Sequence, residues 1–78
     1  MKTKKNYTPK FVICIKNAAY QASLELYKIY RVVADKDAII DGDLRIIDES
    51  GEDYLFPANY FVPIEVPQAV KKAMLGAH

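Results

Sequence analysis

The chain has 78 residues, 51% of them hydrophobic and 12% aromatic, and a formal net charge of +1. That length bounds a single domain, the apolar content excludes a disordered chain, and the near-neutral balance gives no whole-chain argument for nucleic-acid or membrane binding. A single Cys excludes an internal disulfide framework.

At this size one core supplies a stability margin of about 3–5 kcal/mol, so a homodimer partner would help. No stretch approaches the roughly 20 apolar residues that cross a bilayer, and the apolar run Phe11 to Ile15 is too short for a leader peptide. The expectation is a soluble cytoplasmic protein without a membrane partner.

In chain order, residues 1–9 form a polar lead-in that ends at Pro9. Lys10 to Lys16 (KFVICIK) is β-branched, bounded by charge, and predicts a strand. The following NAAYQASLEL fits a short helix or a long irregular hairpin loop equally well. Tyr27 to Val33 predicts a second strand. The charged run Ala34 to Asp43 closes on Asp-Gly and reads as a turn. Leu44 to Asp48 is a third strand and Asp53 to Phe56 a fourth, joined by a tight turn in which Gly51 takes positive φ.

Pro57 ends the fourth strand, and Asn59 with Tyr60 fits one helical turn. Phe61 to Val66 is a fifth strand, which Pro63 places at a sheet edge. Pro67 to Leu75 predicts a C-terminal helix, with Pro in the first turn and Gly76 at the end. Residues 10–66 are thus the β domain, and residues 67–76 the helix. The helix carries Val70 and Met74 on one side and Lys71 and Lys72 on the other, so it either covers an open end of the domain or offers an apolar stripe to a second copy.

Five short strands with charged turns predict a small all-β barrel. The stretch ESGEDYLFPANYFVPI resembles the closing hairpin of SH3 domains, in which a Gly-containing turn leads through a strand to a Pro-Ser-Asn-Tyr corner. Here that corner is Pro57, Ala58, Asn59 and Tyr60. SLELYKIYRVV resembles the end of the family's long first loop, with Leu24 and Leu26 pointing inward. The whole chain also resembles small bacterial proteins that carry the same SGEDYL-x-P stretch. The resemblance implies a five-stranded SH3-like barrel with a 3-10 turn before the last strand, extended here by a short C-terminal α-helix.

The departures bear on the ligand. SH3 domains bind proline-rich peptides on an aromatic strip. Two of its positions, on the first strand, fall on Cys14 and Lys16. The family's Trp is missing, with Leu44 or Arg45 in its place. Only Pro57 and Tyr60 of that groove remain, so a standard proline-rich ligand is not expected.

Single residues give little chemistry. Cys14, between Ile13 and Ile15, reads as a buried, inert thiol. Asp35, Asp37, Asp41 and Asp43 do not meet the calcium-loop pattern, since Ile39 takes a ligand slot and Gly42 is out of register. Asp48 and Asp53 are expected to face each other across the hairpin, with lysines or solvent offsetting their repulsion. No metal cluster, cofactor motif or nucleophile motif is present, which points away from an enzyme.

The six tyrosines and three phenylalanines exceed what so small a core hides. The expectation is therefore a protein-binding module that recognises its partner through Tyr20, Pro57, Asn59 and Tyr60. An acidic rim of Glu49, Glu52 and Asp53 would favour a basic partner. The alternative is a nucleic-acid-associated regulator that uses the basic N-terminal arm of Lys2, Lys4, Lys5 and Lys10.

Overall fold

The computed structural model describes residues 9–76. The elements are β1 (Phe11–Cys14), β2 (Ile29–Val33), α1 (Lys36–Ile40), β3 (Asp43–Ile47), β4 (Asp53–Pro57), the 3-10 turn η1 (Ala58–Tyr60), β5 (Phe61–Ile64) and α2 (Gln68–Gly76).

All five strands join one antiparallel sheet in the order β4-β3-β2-β1-β5. β2 is the shared strand. Its first half pairs with β1 (Val12 opposite Tyr30), and its second half pairs with β3 (Val32 opposite Ile46). Five strands, the 3-10 turn before the last of them and the C-terminal helix are as expected. No ladder joins β4 to β5, so the sheet is open and a closed barrel is not what the strand pairing forms.

Period-two alternation builds the core. Val12, Cys14, Tyr30, Val32, Leu44, Ile46, Phe56 and Phe61 lie on one face of the sheet, and Leu24 packs in from the long loop. The other face of β1 is apolar too. Phe11 is 1% exposed, and Ile13 lies between Ile29 and Val62. This explains the unbroken apolar run FVICI, the pattern of a strand covered on both sides. Pro63 sits on β5, an edge strand, as its missing N–H requires.

Four local expectations are corrected. The segment Ala34 to Asp43 is not simply a turn, because it contains α1. The Asp35 carboxylate accepts from the Ala38 N–H at 3.0 Å, and Asp37 lies in the first turn, where the helix dipole favours an anion. Gly42 then takes φ +84° and reverses the chain into β3. The second strand begins at Ile29 rather than Tyr27, because Tyr27 takes φ +62° and breaks the extended run. Just before that break Leu26 is turned outward and 40% exposed, whereas Leu24 is buried as expected.

The fourth correction is the hairpin register. Asp53 lies opposite Ile47, and the Asp48 N–H donates to the Glu52 carbonyl at 3.0 Å, so the two aspartates do not face each other. Buried Asp48 turns back on the loop, where its Oδ1 accepts from the Ser50 N–H and hydroxyl. Asp53 reaches toward Arg45 instead. The helix α2 covers little of the sheet. Val70 is exposed, while Lys71 and Met74 are half-buried.

Candidate functional site

The long loop between β1 and β2 presents an aromatic residue to the end of the sheet. Ala19 takes φ +72°, a conformation unusual for a residue with a Cβ, and the chain reverses immediately before Tyr20. The Tyr20 N–H donates to the Asn17 carbonyl, and the Tyr20 carbonyl accepts from Ser23 and Leu24. The Asn17 amide donates to the Leu24 carbonyl at 3.0 Å. Short-range bonds therefore fix the loop tip.

Longer bonds tie that loop to the β3–β4 hairpin. The hydroxyl of buried Tyr30 accepts from the Glu25 N–H at 2.8 Å and donates to Glu49 Oε2. Lys28 Nζ reaches the same carboxylate oxygen at 2.7 Å, and the Glu49 N–H donates to the Ser23 carbonyl. The Lys28 and Tyr30 bonds hold the Glu49 carboxyl below its ordinary range. Burial, reinforced by Glu49, pushes the Tyr30 hydroxyl far above its own.

Three rings meet at the loop tip. Tyr20 stands edge-on to Phe56, with centroids 5.1 Å apart, and inclined to Tyr60 at 5.9 Å. Phe56 continues into Phe61 in the core. The Tyr60 hydroxyl donates to the Ala18 carbonyl, and the Tyr60 carbonyl accepts from the Ile15 and Lys16 N–H groups, so η1 and the loop lock together. Beside the cluster runs an open groove of about 380 Å³ lined by Tyr20, Ser23, Asp48, Ser50, Tyr54, Leu55 and Phe56. Tyr54 and Leu55 are 50% and 43% exposed, on opposite faces of β4.

The expected site residues are therefore only partly brought together. Tyr20 lines the groove, Tyr60 touches the Tyr20 ring without lining it, and half-buried Pro57, the last residue of β4, does not line it either. Asn59 is exposed on η1. Glu52 accepts from the Tyr54 hydroxyl at 3.1 Å and sits on the groove rim, raising the Tyr54 hydroxyl above its ordinary value. Asp53 pairs with Arg45 at 3.4 Å. Arg45 also binds Asp35 at 2.8 Å, and the Ala38 N–H bond with this pair holds the Asp35 carboxyl low.

Glu49 stands apart from these. It lines a separate recess of about 280 Å³ with Lys28, Tyr30, Arg31 and Met74, and its carboxylate is engaged inside the molecule. Tyr54, Leu55, Ser23 and Ser50 were not foreseen as site residues. Alternation along β4 puts Tyr54 and Phe56 on one face. What leaves Tyr54 half outside the core is the position of β4 at the sheet edge, a fact of topology.

The Cys14 thiol is buried, donates to the Lys16 carbonyl and is pushed above its ordinary pKa by burial, which disfavours the reactive thiolate. Among the described residues no group of three His, Cys, Asp or Glu is placed to hold a metal ion, and no helix is long and apolar enough to cross a membrane. The basic arm of Lys2, Lys4 and Lys5 lies outside the described residues, as does His78. No protein-family model, curated protein or solved structure matches the chain.

Proposed function

We propose that this chain is a small SH3-like binding module, without catalytic activity of its own, that takes a basic segment of another protein in the groove beside Tyr20. The aromatic cluster of Tyr20, Phe56 and Tyr60 next to an accessible groove carries this reading. A tyrosine ring offers a large rigid contact area at little entropic cost, and recognition concentrates on such residues. Support for the SH3-like comparison comes from the strand order, the long loop after the first strand and the 3-10 turn before the last. The open sheet and the lost aromatic positions at Cys14 and Lys16 argue for a ligand other than a proline-rich helix.

Charge points to the partner's sign. Asp48 lines the groove and Glu52 bonds the Tyr54 hydroxyl beside it, while no lysine or arginine lines it and Asp53 adds a further carboxylate on the outer face of the same strand. Arg45, on the neighbouring strand β3, is engaged by two aspartates. Complementary charge sets specificity and encounter rate more than affinity, so the partner is expected to be cationic near the hairpin end of the groove.

A random dodecamer display library panned against the wild-type protein, with Tyr20→Ala as the counter-target, tests the proposal. Recovery of Lys- or Arg-containing peptides that depend on Tyr20 is the expected result. Enrichment no greater on wild type than on Tyr20→Ala would overturn it.

A further inference from the structure

The two edges of the sheet differ in what their backbones can still bond. In an antiparallel ladder, residues alternate between those that exchange both hydrogen bonds with the partner strand and those that turn N–H and C=O away from it. The phase of β4 is fixed at both ends, by the Asp48 N–H donating to Glu52 and the Ala58 N–H donating to Gly42. With the observed register, Tyr54 and Phe56 bond to β3, while Asp53, Leu55 and Pro57 turn their main chain outward.

The phase of β5 follows in the same way from the Ile15 N–H donating to Tyr60, which turns Phe61 and Pro63 outward. The Phe61 N–H is already bonded to the Ala58 carbonyl, and Pro63 has none. β5 therefore has no outward donor to offer, the usual way an edge is protected from unwanted pairing. β4 keeps two, on Asp53 and Leu55. No other hydrogen bond among the described residues uses the main chain of either. The unprotected edge is the one that borders the aromatic groove.

We propose that the β4 edge takes an extended basic segment of a partner protein as a sixth strand, bonded to the main chain of Leu55 and Asp53. This rests on the binding-module reading and specifies its mode. Strand addition draws affinity from main-chain bonds and specificity from alternate side chains. The residue paired with Leu55 lies on the outer face. Its two neighbours point to the groove side, toward Tyr20 and Tyr54, and are apolar. A Lys or Arg two positions from the Leu55 partner lies across from Asp53. A second copy of this chain fits less well, since its residues 52–58 carry no Lys or Arg to set across from Asp53 and Glu52.

The test uses the tightest dodecamer recovered from the display library. In ¹⁵N-labelled protein, adding it should slow hydrogen exchange at the Asp53 and Leu55 amides. N-methylation at alternate peptide positions should weaken binding by roughly tenfold at the bonded positions and little at the others. Leu55→Pro, which removes an N–H that β3 does not use, should have a similar effect. The methylated peptides probe the same bonds with the protein unchanged, so a misfolded variant cannot mislead.

Tyr20-dependent binding that leaves both amides exchanging freely and tolerates every N-methyl group would overturn strand addition and leave the module standing. Failure to recover any Tyr20-dependent peptide would overturn both. Protection of the two amides that rises with protein concentration, without peptide, would identify a second copy as the occupant and contradict the basic-partner assignment.

Discussion

The ring of Tyr20 meets the ring of Phe56 edge-on at 5.1 Å, and of the two only Phe56 is buried, at 3% exposure. One contact thus joins the core to an accessible surface. Phe56→Ala should cost about 3–5 kcal/mol, because it opens a cavity among Leu44, Ile46 and Phe61. Tyr20→Ala should cost only about 1 kcal/mol, the worth of the ring pair. Urea unfolding midpoints separate the two, and similar losses would make Tyr20 a core residue.

Tyr30→Phe keeps the ring and removes the hydroxyl that receives the Glu25 N–H. A donor left without its partner costs about 1–3 kcal/mol. Because that hydroxyl links Glu25 of the loop to Glu49 of the hairpin, exchange at the amides of residues 20 to 25 should accelerate more than exchange in β1. Uniform acceleration would mean that the bond supports the fold generally rather than the loop.

Glu49 sets a pH dependence whose sign is fixed. Its carboxyl is held below the ordinary 4.5 by Lys28 first and Tyr30 second. A depressed folded value contributes stability that is full above the unfolded pKa and is lost as pH falls through the folded one. The protein should therefore weaken below about pH 4.5, and Glu49→Gln should show a shallower acid limb. Asp35, also held low, contributes to the same limb, so the slope should shrink rather than vanish. An unchanged acid limb in thermal melts of Glu49→Gln would contradict the assignment.

Gly51 takes φ +87°, with nothing within 4 Å of a Cβ placed there. Substitution there is strained by backbone conformation alone. Gly51→Ala should cost about 1–2 kcal/mol, and Gly51→Asn less, because Asn visits this region more readily. Equal stability of wild type and Gly51→Ala in denaturant would show that the hairpin turn relaxes.

Asp35 tests the helix that the composition concealed. Asp35→Asn keeps an oxygen for the Ala38 N–H and loses the charge toward Arg45, whereas Asp35→Ala loses both. Stability should fall in that order, and equal losses would assign the whole effect to the ion pair.

Strands, hairpin turn and 3-10 corner were legible because each depends on a few neighbouring residues: β-branched runs, Gly51, and Pro57 followed by Asn59 and Tyr60. α1 was missed because its signal is one capping carboxylate three residues from Ala38, within a run whose charge reads as solvated turn. Leu26 and the start of β2 were misplaced because positive φ at Tyr27, a bulky residue, has no sequence signature. The site was half legible. Tyr20 and Tyr60 were singled out by residue type and by where the groove of the SH3 resemblance would lie, and their rings stand 5.9 Å apart. Glu49 was placed on the rim by proximity in sequence, yet the register of the hairpin turns it to Lys28 and Tyr30. Tyr54 and Leu55 belong to the groove only because β4 is an edge strand, which no local pattern states.

Binding of a basic partner segment in the groove beside Tyr20 is what one experiment decides. The most direct measurement is the affinity of the selected dodecamer for wild type and for Tyr20→Ala, by calorimetric titration at moderate salt, with circular dichroism confirming that both are folded. Tyr20→Ala should bind about tenfold more weakly or worse, with an unchanged spectrum. Equal affinity for two folded proteins would contradict it.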